Sequence, residues 1–235
     1  MTTKEFSDGF DTLVNSYRRF KDFDKMESLD SLDFNEYEKS VYLTKAQLEL
    51  VVSLYSGKNQ FGDSFERTEE LRRYLDSLVK TVVRTSNVAG EPVDSNSMFY
   101  ELPDDIAYIT LEQVTYSQPG TCWDGKRAGV IPVRQDEFDR IRNNPFRGVT
   151  NKRALRLDSG ENITELVSKH PIGSYLIRYV SKPNPIVLED LPEGLSVDGE
   201  TEKHECELNP MVHQQILERA VALAISSKRI YTNNN

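Results

Sequence analysis

The sequence predicts an α+β fold in which helices at both ends of the chain enclose a β-rich middle. Three observations predict it: apolar residues recur at helical spacing near the N terminus, the middle is rich in β-branched and aromatic residues, and an alanine-rich segment precedes the C terminus. We expect a helical body over 1–80, an inserted region with a sandwich- or barrel-like sheet over 81–205, and a C-terminal helix and tail over 206–235.

The N-terminal region is predicted to form a helical hairpin or a small bundle. The i, i+4, i+7 spacing indicates a first apolar helix face made of Phe6, Phe10, Leu13, Val14, Tyr17 and Phe20. A second face consists of Tyr37, Val41, Leu48, Val51, Val52 and Tyr55. Asp33 and Glu36 have the residue types of a capping box, and Gly57 is placed to end this helix. A third helix, opening at Gly62-Asp63-Ser64, is expected to bury Leu71, Tyr74, Leu75, Leu78 and Val79.

The middle region is predicted to contain several strands. Ile106–Tyr116 predicts a long strand, and Gly129–Val133 is expected to return as its partner after a turn-rich loop tip. Further strands are expected at 154–157, 163–167 and 174–180, and a short helix at 136–143. Short apolar runs bounded by turn residues lie at 82–83 and 98–100. The last strand alternates, with Tyr175, Ile177 and Tyr179 on one face.

The C-terminal region is predicted to return to helix. Pro183, Pro185 and Pro192 are expected to stiffen a connector. Asn209-Pro210 begins the final helix, because a proline in the first helical position loses no hydrogen bond. Since helices lie at both termini, we expect them to pack in one layer from which the β-rich region projects.

Charge and cysteine content restrict the function classes. The formal net charge is −9 and the pI about 5.0, so the surface repels duplex phosphate. Cys122 and Cys206 form no CxxC pair, which indicates a reducing compartment without a disulfide framework. The sequence shows no signal peptide and no apolar run approaching the roughly 20 residues that span a bilayer. We therefore expect synthesis in a cytoplasm and no membrane partner.

No pattern in the sequence is typical of catalysis or cofactor binding. The run His204-Glu205-Cys206 places three potential metal ligands in succession, but successive side chains diverge, so a polar turn is the favoured interpretation. Nucleophile motifs and glycine-rich phosphate loops are absent from the sequence as well. We expect no enzyme activity, no metal and no cofactor.

A basic block interrupts the acidic chain between Lys126 and Arg156, where nine basic residues outnumber three acidic ones. It has three interpretations: a solvated face, a surface that docks against the acidic helices of a neighbouring copy, or a contact with DNA phosphates. The candidate contact residues are Arg147, Lys152, Arg153 and Arg156. Trp123, beside the loop tip, is a candidate anchor for a partner, although packing onto the sheet explains it equally well.

Three stretches together resemble one known family. They are Leu32–Gln47 with Phe61–Leu75, Asn144–Arg147 with Arg153–Asp158, and Tyr175–Leu188 with Cys206–Leu208 and the helix at His213–Ile225. In this combination the chain resembles the neck proteins of crAss-like phages, podoviruses of gut Bacteroidetes. Those proteins are similar in plan to the head–tail adaptors of other short-tailed phages.

The resemblance implies a structural virion protein without enzyme activity. It implies a ring, usually dodecameric, that lies below the portal protein, adjoins neighbouring neck or tail rings and forms part of the DNA channel. The β-rich region would then engage the next ring. The C-terminal helix and tail would reach the portal, with Lys228, Arg229 and Tyr231 as candidate contacts. An acidic wall would let genomic DNA pass without sequence-specific binding.

Two other function classes stay open on the sequence alone. One is a DNA-binding packaging or assembly factor that uses the basic block at 126–156. The other is a small hydrolase whose site is not visible in residue spacing. Tight and strongly salt-dependent DNA binding by the free protein would distinguish the first of these from a connector.

Overall fold

The structure is a computed structural model that describes residues 1–21, 33–58 and 68–233, with side chains at 1–17, 33–58 and 68–228. The chain divides into two compact units, Met1–Leu78 with Pro183–Asn235, and Val79–Lys182. The described residues form five α-helices and one seven-stranded sheet. The predicted α+β class, with helices at both ends and a β-rich middle, is confirmed.

The first unit is helical. In chain order the helices are α1 (Thr3–Lys21), α2 (Glu36–Ser56), α3 (Glu69–Tyr74), α4 (Phe138–Arg142) and α5 (His213–Asn233), and only α4 lies in the second unit. Helix α5 packs against α1 and α2. Phe6, Phe10 and Val14 of α1 are buried as predicted, whereas Tyr17 is exposed; the side chain of Phe20 lies outside the described residues.

Helix α2 begins and ends at capping residues. Its capping box is formed by Asn35 and Glu38, two residues later than predicted: Oδ1 of Asn35 accepts from the Glu38 amide, and the Glu38 carboxylate accepts from the Asn35 amide. The helix ends at Gly57 as predicted, and the φ of 76° at this glycine is a left-handed conformation that side chains disfavour.

The third helix is shorter than predicted. Helix α3 covers six residues, a 3₁₀ turn follows at Asp76–Leu78, and Val79 begins a strand. Leu71, Tyr74, Leu75 and Leu78 are buried as predicted. The expected opening at residues 62–64 lies outside the described residues.

The predicted apolar face of α2 is only partly confirmed: Val51 is buried, but half of the buried residues of this helix are polar. Val41 and Val52 are exposed, while Ser40, Thr44 and Gln47 are buried. These three side chains lie on one helix face because they are spaced by four and three residues. Apolar periodicity does not detect such a face.

The buried polar face of α2 satisfies the backbone of the extended segment 184–188. These side-chain hydrogen bonds to segment 184–188, here called the clamp, matter because a buried backbone group without a partner costs free energy. The contacts are Leu188 N–H to Ser40 Oγ (3.0 Å), Ile186 N–H to Thr44 Oγ1 (3.0 Å), Thr44 Oγ1 to Ile186 O (3.3 Å) and Gln47 Nε2 to Asn184 O (3.0 Å). The intervening Val187 pairs its backbone with His204 on the other edge of the segment.

Lys39 is a buried cation on α2. Its Nζ lies 2.7 Å from Asp11 Oδ2 and 2.9 Å from Glu36 Oε1, and it also donates to Ser7 Oγ. Burial acts to lower the pKa of Lys39, but the hydrogen bonds and charges of Asp11 and Glu36 outweigh it and raise the pKa. The ammonium group therefore ties α1 to α2 in its charged form.

The second unit contains the sheet. Its strands are β1 (Val79–Arg84), β2 (Ser97–Glu101), β3 (Ile106–Tyr116), β4 (Arg127–Pro132), β5 (Arg153–Gly160), β6 (Ile163–Val167) and β7 (Ile172–Ser181), in the order β1-β7-β3-β4-β5-β6-β2. Neighbours are antiparallel except β4 and β5. The five predicted strands are confirmed, and the short apolar runs at 82–83 and 98–100 lie in strands as well. The sheet curls, and Arg84 Nε donates to Glu101 O (3.0 Å) between the two edge strands.

The two faces of the sheet carry separate apolar clusters. The inner face of the curl contains Tyr100, Val114, Tyr116, Ala128, Ala154, Leu166, Ile172, Tyr175, Ile177 and Tyr179. The predicted alternation of β7 is confirmed, because Tyr175, Ile177 and Tyr179 all enter this cluster. On the outer face, Phe138 of α4 packs with Leu155, Leu157 and Val167. Residues of β4 and β5 thus point alternately to the two faces.

Candidate interaction surfaces

The most exposed large apolar side chain of the second unit lies in the loop 143–150, here called the Phe146 loop. Phe146 is 84% exposed. The loop is nevertheless tightly held, because Oδ1 of Asn144 accepts from the amides of both Phe146 (2.8 Å) and Arg147 (3.1 Å). At Gly148 a Cβ would lie 2.5 Å from the Arg142 carbonyl oxygen, so only glycine fits. The loop therefore presents Phe146 and Arg147 in a fixed conformation.

A shallow groove lies beside the Phe146 loop on the outer face of the sheet. Its volume is about 320 Å³, and its lining consists of Ile131, Pro132, Val133, Ile141, Phe146, Arg147 and Arg153. Ile131 is 43% exposed. The side chain of Arg153 supports the loop from below, since Nη1 donates to the Phe146 carbonyl.

The basic block does not form one uniform patch. Arg147 and Lys152 are exposed, and Arg153 is half-buried in its contact with the loop. Several other arginines of the block form ion pairs within the unit: Arg134 with Asp136, Arg140 with Glu137, and Arg142 with Asp94. Of the four candidate contact residues, Arg147 and Lys152 are thus the ones whose charges face solvent.

Arg156, the fourth candidate, lies inside the curl of the sheet. Its Nη1 is 2.8 Å from Glu112 Oε2 and its Nε is 3.2 Å from Asp158 Oδ1. The hydroxyl of Tyr175 donates to the other oxygen of Glu112. Burial raises the pKa of Tyr175, and the adjacent Glu112 carboxylate raises it further. This cluster joins strands β3, β5 and β7 through side chains.

The same cluster forms the floor of a cleft, here called the inner cleft, between β3 and the end of β5. Its volume is about 800 Å³. Apolar side chains on its walls include Leu102, Ile106, Ile109 and Val130, which pack on the inner-face cluster. Asp158 and Glu161 add carboxylates at its rim, and both are exposed. Neither this cleft nor Phe146 was predicted from the sequence. The position of Phe146 between Pro145 and Arg147 in a polar loop is the signal that identifies it.

Trp123 packs back onto the second unit. Its ring stacks on His170 with centroids 4.9 Å apart and planes inclined by 18°. His170 is held in turn by Gln118 (3.0 Å) and Asn151 (3.1 Å), one at each ring nitrogen. The partly exposed indole is thus fixed in place, and anchoring of a partner by Trp123 stays a prediction.

The C-terminal candidates belong to the end of α5. Lys228 Nζ lies 4.1 Å from the centroid of the Phe34 ring and donates to Asp33 O (2.9 Å). The side chains of Arg229 and Tyr231 lie outside the described residues. A portal contact through these three residues stays a prediction.

Metal-ligating or nucleophilic groups do not converge in the part of the chain that the structure describes. No cluster of three or more His, Cys, Asp or Glu side chains that could hold a metal ion occurs among the described residues. Burial raises the pKa of Cys206 to about 11, so its thiol is protonated at neutral pH. Within the same residues, no helix is both long and apolar enough to cross a membrane.

These features define the class of the protein: an α+β protein with exposed apolar and charged contact surfaces. The whole chain, residues 1–235, matches the family model for phage tail ring protein 3/4, and the chain belongs to this family. It is 47% identical to Ring protein 3 of Bacteroides phage crAss001 over 237 residues, which cover all of this chain and 99% of that relative. It is 29% identical to Ring protein 4/5 of the same phage, over 95% of this chain and 92% of that relative.

The comparisons confirm the resemblance to crAss-like phage neck proteins. Both relatives carry ring-protein names, and the chain covers almost their full lengths. The protein is therefore assigned to the structural ring proteins of the virion.

Proposed function

We propose that this chain assembles into a ring in the neck of the virion, where it connects the portal to the tail and surrounds the DNA channel. One observation carries the proposal: the match to the ring-protein family covers residues 1–235. The ring is a homo-oligomer, and the family resemblance favours twelve copies.

The charge distribution supports this role. The net charge of −9 disfavours tight retention of DNA, as a channel wall requires. Exposed Arg147 and Lys152 supply basic contacts to a neighbouring subunit or ring. The end of α5, with Lys228, Arg229 and Tyr231, is the part that we assign to the portal.

Mass measurement with and without the portal protein tests the proposal. We expect the chain, produced with its portal and neighbouring neck proteins, to appear in a closed ring by electron microscopy and as a multiple of its 26.9 kDa mass. A chain that stays monomeric in every such mixture and is missing from purified virion necks would contradict the proposal. A monomer in isolation would not, since adaptors often oligomerise only on a template.

A DNA-binding assembly factor is the second candidate, and the exposure of Arg147 and Lys152 is the observation that favours it. If this candidate is right, the free protein binds duplex DNA with an affinity that falls steeply with salt. The double reversal Arg147→Glu and Lys152→Glu would abolish that binding, whereas Lys169→Glu, an exposed reversal elsewhere in the unit, would weaken it much less. If the ring proposal is right, binding is weak in all three proteins.

A further inference from the structure

We propose that the Phe146 loop of one copy docks into the inner cleft of the next copy in the ring. The inference rests on the proposed ring, and it identifies the two surfaces through which neighbouring subunits close that ring. A closed ring of identical subunits uses a head-to-tail contact, in which each subunit presents two different and complementary surfaces. The loop and the cleft have the properties of such a pair.

Shape and polarity match between the two surfaces. Phe146, at 84% exposure, is an aromatic side chain in water on a loop that is otherwise rigidly hydrogen-bonded. Exposed aromatic and arginine side chains supply much of the binding energy in protein interfaces. The inner cleft, of about 800 Å³, is open, and the partly buried side chains of Ile106, Ile109 and Val130 give it apolar walls. Burying Phe146 there removes apolar surface on both sides from water.

Charge is complementary as well. Arg147 follows Phe146 directly and is exposed, while Asp158 and Glu161 lie at the rim of the cleft. Asp158 already has Arg156 beside it, so Glu161 is the carboxylate that we assign to Arg147. Arginine and carboxylate groups form strong paired hydrogen bonds when they meet.

The backbone conformation of Glu161, with a positive φ, is one that glutamate rarely adopts, which suggests that its carboxylate is needed for a contact. Its φ is 49° in the turn between β5 and β6, followed by a φ of 58° at Asn162. Asn, Asp and Gly are favoured in such hairpin turns, and a glutamate there carries a conformational cost. This cost is understandable if the carboxylate itself is needed in a contact.

The placement of the surfaces fits a head-to-tail contact. The groove beside Phe146 includes Ile131 and Val133, on the outer face of the sheet. The inner cleft includes Val130, whose side chain packs on the inner-face cluster of the same sheet. Because successive side chains of a strand point to opposite faces, Ile131 and Val130 project from opposite sides of the sheet, with Pro132 at the edge that the two surfaces share. One subunit can therefore contact one neighbour with its loop and the other neighbour with its cleft.

Cysteine cross-linking tests the proposed contact. In a Cys122→Ser background, Phe146→Cys and Ile109→Cys are made in separate chains, co-produced with the neck proteins and assembled into rings. We expect a disulfide-linked dimer under mild oxidation, and a ladder of higher species when both substitutions are in one chain. The control pairs Phe146→Cys with Val83→Cys, an exposed apolar position on β1 that the proposal leaves outside the contact; it should give at least about tenfold less dimer.

A charge swap tests the pairing of Arg147 with Glu161. We expect Arg147→Glu and Glu161→Arg each to reduce the ring fraction about tenfold or more, and the double variant to recover most of it. Lys169→Glu serves as the matched exposed reversal and should leave rings intact. Far-ultraviolet circular dichroism of each variant excludes loss of folding as the cause.

The outcomes separate this inference from the ring itself. If the native chain forms no ring, the proposed function fails. If native rings form, but cross-linking equals the Val83 control and the charge variants assemble normally, the docking inference is overturned while the ring stands. The inference is equally overturned if Phe146→Ala leaves rings of this chain intact and blocks only their joining to a different ring or to the portal.

Discussion

Nη1 of Arg156 lies 2.8 Å from Oε2 of Glu112, and the two side chains are only 11% and 5% exposed. The pair marks the place where the apolar interior of the curled sheet meets the inner cleft. Burial opposes the charged form of Arg156, but the charges of Glu112 and Asp158 outweigh it and raise the pKa of Arg156. The guanidinium therefore remains charged and joins β3 to β5.

Removing one member of this pair should destabilise the second unit strongly. Arg156→Met leaves the Glu112 carboxylate buried without its cation, and we expect the free energy of unfolding to fall by about 3–5 kcal/mol. Replacing both residues with methionine should recover part of the loss, because no buried charge is then left alone. Urea unfolding followed by circular dichroism measures both effects. Arg134→Met, at an exposed ion pair, is the control and should change stability by less than about 1 kcal/mol.

The clamp on segment 184–188 gives a second prediction. Thr44→Val keeps the shape of the side chain and removes the hydroxyl that accepts from the Ile186 amide at 3.0 Å. We expect a loss of about 1–3 kcal/mol, because a buried N–H is left without a partner. Amide hydrogen exchange at Ile186 should accelerate with it. Thr44→Ser keeps the hydroxyl and should preserve the slow exchange; equal exchange in both variants would contradict the clamp.

Sequence patterns predicted best those elements whose buried side chains are apolar and recur at one regular spacing. In strand β7 every second side chain is apolar and enters one core cluster, so its buried face could be predicted. The buried face of helix α2 was predicted only in part, because it includes the polar side chains of Ser40, Thr44 and Gln47, whose partners lie about 140 residues away. No local pattern contains information about that partner segment.

The candidate contact residues also combine a feature that the sequence shows with one that depends on distant residues. A run of basic residues is visible in sequence, but whether each charge faces water depends on neighbours from other strands. Arg156 pairs with Glu112 of β3 inside the curled sheet. Arg147 is exposed on a loop whose backbone is hydrogen-bonded to Asn144. The inner cleft arises from the curl of the sheet, so its residues come from segments that lie far apart in the chain.

The stacked pair of Trp123 and His170 can be observed by fluorescence. Trp123 is the sole tryptophan of the sequence. His170→Ala removes its stacking partner, so we expect the emission maximum to shift to longer wavelength and quenching by iodide to increase. The accompanying loss of stability should be about 0.5–1.5 kcal/mol. Lys169→Ala, next to the pair, should leave the spectrum unchanged; an unchanged spectrum in His170→Ala would show that the indole has no such contact.

The tyrosines of the inner core predict a loss of stability at high pH. Burial raises the pKa of Tyr100 to about 12, and its hydroxyl has no hydrogen-bond partner among the described residues. In the unfolded chain a tyrosine ionises near pH 10, so above that pH the folded state holds more protons than the unfolded state. The free energy of unfolding must then decrease as the pH rises from about 10 to 12, by up to about 1.4 kcal/mol per pH unit for one such group.

Substitution of Tyr100 isolates its share of this pH dependence. At pH 7 we expect Tyr100→Phe to be as stable as the native chain or more stable, because it removes a buried hydroxyl that has no partner among the described residues. Between pH 10 and 12 its stability should fall less steeply, although not to zero slope, since burial also raises the pKa of Tyr175. Urea unfolding at several pH values measures both slopes, with Tyr17→Phe, at a tyrosine that is 51% exposed, as the control. Identical slopes for Tyr100→Phe and the native chain would mean that Tyr100 reaches solvent before the sheet unfolds.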